Sequence, residues 1–208
     1  MYLDKVFKAL NEYDAVVQAA DELWNSTKKQ LEYDYGNTGR VYEEKYAAGK
    51  ALYDATVTEA KQKGLATVKE EFEKLHDVVR EFISTPVPSD FIPTLEAVRA
   101  TGKDITEAEM EIYLEKYKNN YTAYRSLAQS FQEQTGRRHY VVVYDAIKND
   151  IEEHEGYVTR IFSGTANGYV KALFMSEQHS PLVKLDAALQ EFITKDVGSY
   201  TDTEEMHG

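Results

Sequence analysis

Leu3, Val6, Leu10, Tyr13, Val17, Ala20, Trp24, Thr27 and Leu31 follow one another in steps of three and four. Side chains at that spacing line up along one narrow edge of a helix, and such an edge is buried by zipping against a second rod. Between them stand Asp4, Lys5, Lys8, Glu12, Gln18, Asp21, Glu22, Lys28 and Lys29, which suit a wet surface. The spacing predicts a helix over 3–33, stopped by the turn chemistry of Gly36-Asn37-Thr38-Gly39. Few folds accept a rod of that length, and all of them are helical.

The pattern resumes after the turn. Tyr42, Tyr46, Gly49, Tyr53, Val57 and Ala60 share one face, and Leu65, Val68, Phe72, Leu75, Val79 and Phe82 form a second stripe whose phase has slipped near Gly64. Two readings stand open. One helix runs through with a stutter, or Gly64 ends a helix and Thr67, three residues before Glu70, caps the next. The continuous helix is favoured, because neither proline nor a long polar stretch intervenes. Pro86, Pro88 and Pro93 then break the chain, and Ser89 is placed to cap a short helix that Gly102 ends. Thr106 and Glu109 have capping-box spacing and open a helix with the stripe Met110, Leu114, Tyr117, Tyr121, Tyr124, Ala128 and Phe131. After Gly136 a new register runs Tyr140, Tyr144, Ile147, Ile151, His154, Val158 and Ile161. The β-branched run Val141-Val142-Val143 offers a strand start there, but the heptad continues past it. Gly164 and Gly168 separate a short helix near 169–175. Ser180 and Pro181 open a last one carrying Leu182, Leu185, Leu189 and Phe192. The expected division is a helical hairpin over 1–84, a proline-containing connector over 85–104, a helical part over 105–195 and an acidic flexible tail over 196–208.

Only 11 Gly and 4 Pro in 208 residues leave too few turns for a β-sandwich. Cysteine is absent, which excludes disulfides, thiolate zinc sites and cysteine nucleophiles. No apolar run reaches the length of a membrane span, and Asp4 and Lys5 interrupt any signal-peptide core, so a cytoplasmic location is expected. A net charge of −12 opposes binding to phosphate backbones and anionic lipid. The lone basic cluster, Arg137-Arg138-His139, follows Gly136 and reads as a helix end.

Catalytic signatures are missing. The nucleophile elbow, the Walker loop, the dinucleotide fingerprint and His-Glu-x-x-His do not occur. Carboxylate-bridged metal bundles need a Glu-x-x-His pair on each of two helices. Glu73 and His76 make one such pair. The second is wanting, since Ile151 stands three before His154, which leaves Asp150 with His154 as the nearest substitute. These four are weak metal candidates; no metal site or cofactor is expected. Tyrosine is the oddity, with 16 residues against one Trp. Tyr42, Tyr46 and Tyr53 share one face, and Tyr113, Tyr117, Tyr121 and Tyr124 another. A tyrosine presents an apolar body and a polar tip, which suits a contact with a protein partner.

The resulting expectation is an all-α protein of long antiparallel helices in an extended bundle or coiled-coil hairpin. It is expected to act without catalysis, as a scaffold or adaptor binding a protein partner or a second copy of itself, with the dimer favoured. Two alternatives stay open: an acidic inhibitor or nucleic-acid mimic that binds a basic protein, and a metal-dependent helical-bundle enzyme. In style (small, acidic, cysteine-free, helical) the chain resembles accessory and structural proteins of bacterial viruses, though no motif carries that likeness.

Overall fold

The computed structural model describes residues 3–136, 144–176 and 179–194. Expectations placed on Arg137-Arg138-His139, on Tyr140 and Val141-Val142-Val143, on the side chains of Tyr144 and Phe192, and on the 196–208 tail lie outside the described residues. Among those described, the fold is all-α without a strand. Helices α1 (Asp4–Tyr35) and α2 (Arg40–Ile83), of 32 and 44 residues, pack antiparallel as a hairpin with smaller helices. The chain forms two compact units that do not follow its order: Tyr2–Glu71 with Glu155–Ser180, and Phe72–His154 with the segment beginning at Pro181.

In the first unit, α1 forms because its a and d positions supply one continuous edge. Leu3, Val6, Leu10, Ala20 and Leu31 are buried, and Tyr13, Val17, Trp24 and Thr27 half-buried. Each fully buried leucine contributes about 1.5–3 kcal/mol relative to exposure. The turn uses Gly36 and Gly39 at φ 71° and 105°, in the left-handed region open to glycine. Contacts of Asp21 with Tyr53, Glu12 with Lys63 and Lys5 with Glu71 climb one helix as they descend the other, which fixes the register.

Helix α2 passes through Gly64 unbroken. The slip in its stripe has a packing cause, because a Cβ at Gly64 would lie 2.0 Å from Cε1 of Phe162. Thr67 opens no new helix; its hydroxyl donates to the Lys63 carbonyl at 3.3 Å, four residues back. The C-terminal part of α6 (Tyr144–Phe162) and α7 (Gly168–Phe174) complete the unit. The Tyr13 ring lies 4.8 Å from that of Phe162, its hydroxyl donates to the Phe162 carbonyl, and Lys171 pairs with Asp14. Burial pushes the Tyr13 phenol above its ordinary pKa.

The second unit holds the end of α2, α3 (Phe91–Thr101), a 3-10 turn at Gly102–Asp104, α4 (Glu107–Tyr117), α5 (Tyr121–Thr135), the start of α6, and α8 (Pro181–Thr194). One core cluster joins Phe91, Leu95, Val98, Met110, Leu114, Tyr117, Leu127 and Phe131. Two sequence expectations are corrected here. The N-cap of α3 is Asp90, not Ser89, and its carboxylate reaches Lys116 at 2.6 Å. The stripe from Met110 to Phe131 is two helices, because Asn120 ends the run: its Oδ1 accepts from Ala123 N as the cap of α5. The Thr106–Glu109 capping box is present in full.

Candidate functional site

Three of the seven tyrosines expected to meet a partner come together in the hairpin. Trp24 of α1 meets Tyr46 of α2 edge-on at 4.9 Å between ring centroids, with Tyr53 at 6.4 Å, and Tyr42 continues the row 5.7 Å beyond Tyr46. Gly49 makes the approach possible, since a Cβ there would stand 2.9 Å from Cζ3 of Trp24. The Tyr53 hydroxyl donates to Asp21 at 2.7 Å, and that bond holds its proton above the usual phenol range. Lys50 lies over the Tyr53 ring at 4.9 Å, and Lys45 over Tyr35 at the same distance. Tyr42 and Tyr46 form part of the wall of an open cleft of about 410 Å³, completed by Lys28, Glu32 and Glu43. Chemically this is an aromatic surface with phenol tips and charges of both signs at its rim.

The other four tyrosines do not make an open groove. Tyr117 and Tyr121 are buried, and Tyr113 and Tyr124 pack against the core cluster. The Tyr117 hydroxyl shares a 2.9 Å hydrogen bond with Thr94, its ring meets Phe91 edge-on at 5.4 Å, and Lys116 sits 5.0 Å above it. The Lys116 ammonium in turn holds the Asp90 carboxyl below the usual carboxylate range. Here the tyrosines tie α3 to α4; spacing alone does not separate that use from a surface one.

The weak metal candidates are scattered in character. Glu73 is exposed, His76 half-buried and Asp150 buried, and His154 Nδ1 lies 2.7 Å from the Asp150 carbonyl oxygen. Among the described residues no group of three or more His, Asp or Glu side chains is placed to hold a cation. Trp24 and Gly49 are the packing neighbours of the hairpin tyrosines that the tyrosine count alone misses. Their signal was present in the sequence, as the one tryptophan in the α1 stripe and a glycine in the facing stripe at its level.

The class defined by these features is an all-α helical-bundle protein, and no described helix is long and apolar enough to cross a membrane. No family model, curated protein or solved structure matches the chain.

Proposed function

We propose that the chain is a non-enzymatic helical scaffold or adaptor that works through protein contacts made by the α1–α2 hairpin. The observation that carries this reading is the open cleft walled by Tyr42 and Tyr46, with Trp24 packed edge-on against the Tyr46 ring. Aromatic rings with a polar tip bind with large area and little loss of side-chain entropy, and they anchor protein interfaces. The partner is a protein that inserts an apolar or aromatic side chain between the two tyrosines. The cleft's own Lys28, Glu32 and Glu43 leave it without a single dominant sign, which suits a mixed-charge rim on the partner.

Capture from lysate of cells that express the protein, at low and at high salt, tests the reading. The expected result is a partner retained at high salt and lost with Tyr42→Ala/Tyr46→Ala, while circular dichroism of the variant is unchanged. An acidic inhibitor or nucleic-acid mimic of net charge −12 behaves otherwise. Its basic partner dissociates at high salt and ignores the tyrosines. That outcome replaces the scaffold reading.

A further inference from the structure

Heptad positions on the two flanks of the hairpin differ in kind. On one flank, the residues just after the inward d positions are Asp14, Asp21 and Lys28 in α1, and Glu43 and Lys50 in α2. That flank is charged apart from Phe7, and α7 reaches it at Asp14, which pairs with Lys171. The residues just before the inward a positions are Ala9, Val16, Leu23 and Gln30 in α1, and Lys45, Leu52 and Glu59 in α2, so the row is apolar from Ala9 to Leu23 and holds Leu52 between two opposite charges. In an antiparallel pair such equivalent one-residue offsets fall on the same side. An open groove of about 330 Å³ lies along this side of α1, where Ala9 and Val16 face Ala60, Lys63, Gly64 and Thr67 of α2. Farther along this side, Leu23 is 64% and Leu52 65% exposed, and Val16 is 37% exposed. A two-helix pair needs only its a and d seam; an added apolar g row is the pattern of helices that face a further layer.

We infer that this flank docks on the same flank of a second copy of the chain, the two hairpins forming an antiparallel four-helix bundle with Leu52 at the two-fold axis. The charges select this occupant. The g positions of α2 read Lys45, Leu52, Glu59 at equal seven-residue steps. When two identical helices pack antiparallel, g faces g, so Lys45 meets Glu59 of the other copy twice over and leucine meets leucine at the centre. In the register set by Asp21 and Tyr53, the same axis passes close to Leu23 of α1, which meets Leu23 of the other copy. Lys45 lies fully exposed over the Tyr35 ring and Glu59 is exposed, so both can reach across. A heterologous partner has no reason to require that self-complementary order. The size also suits: from Ala9 to Leu31 the flank runs about 33 Å at the helical rise, and two helices side by side are about 20 Å wide. That footprint, roughly 650 Å², is near the roughly 800 Å² per partner of a stable interface.

The inference deepens the scaffold reading and rests on it only for the premise that the hairpin works by contact. Sedimentation equilibrium on the full chain should give twice the 23.8 kDa protomer mass. Because the chain has no cysteine, Leu52→Cys should form a disulfide-linked dimer under mild oxidation, whereas Ala47→Cys, exposed on another side of α2, should not. Lys45→Glu should raise the dimer dissociation constant about tenfold, and adding Glu59→Lys should restore it. A monomeric wild type overturns the inference, as does a dimer that Leu52→Cys fails to link or that Lys45→Glu leaves unweakened. If the wild type is monomeric but retains a partner through Tyr42 and Tyr46, the scaffold reading stands without this dimer. If no partner is captured, the mass and cross-linking results still decide the dimer.

Discussion

A methyl group at Gly64 would sit 2.0 Å from the Phe162 ring, well inside contact distance. Gly64→Ala gains about 1 kcal/mol of helix propensity, yet overpacking a filled site costs about 1–3 kcal/mol. The Phe162 ring is itself buried and cannot swing away. The variant should therefore lower the urea midpoint. Gly49→Ala meets only the edge of the half-buried Trp24 ring, at 2.9 Å, and should stay near neutral in the same assay. At Thr106 the hydroxyl accepts from Glu109 N at 3.3 Å while the Glu109 carboxylate accepts from Thr106 N at 2.9 Å. Thr106→Ala should cost about 1 kcal/mol in denaturant unfolding. The same cap holds the Glu109 carboxyl below its ordinary pKa, chiefly through the Thr106 backbone N–H. A depressed folded pKa stabilises the protein above the unfolded value, and that contribution is lost as pH falls through the folded one. Acid unfolding curves of wild type and Glu109→Gln should therefore converge at low pH, while Thr106→Ala, which keeps that N–H, stays offset from wild type. The capping box was legible from two residue types three apart. The Gly64 contact was not, because Phe162 lies 98 positions along the chain.

Helices α4 and α5 show where spacing misleads an element assignment. Met110, Leu114, Tyr117, Tyr121 and Tyr124 keep steps of four and three straight across the break at Lys118–Asn120, so the stripe reads as one helix. What stops it is Asn120, buried at 6% exposure. Its Nδ2 donates to the carbonyls of Thr85 and Pro86 at 3.4 and 3.0 Å, and its Oδ1 accepts from Ala123 N at 3.0 Å. One side chain thus caps α5 and satisfies the proline segment, whose rings supply no N–H of their own. Asn120→Ala removes all three bonds, the α5 cap among them, so a loss of about 1–2 kcal/mol is expected in thermal or urea unfolding. The exposed neighbour Asn119→Ala should change stability by less than about 0.5 kcal/mol.

For the whole molecule, the proposed dimer would carry a thermodynamic signature of its own. Association that favours the folded state makes the melting temperature rise with protein concentration, and Lys45→Glu should flatten that rise in a dilution series followed by circular dichroism. The sequence by itself determined the all-α class, the long hairpin and its turn, since these follow from the 3.6-residue repeat, from glycine's freedom at positive φ and from the scarcity of breakers. Those are properties each residue carries with its near neighbours. Only the tertiary structure decided which tyrosines line a cleft and which fill a core. It also decided that Asn120 divides a stripe and that the compact units interleave along the chain. Each of these depends on groups tens of residues apart meeting in space, and a periodic pattern records that a face is to be buried without recording what will bury it.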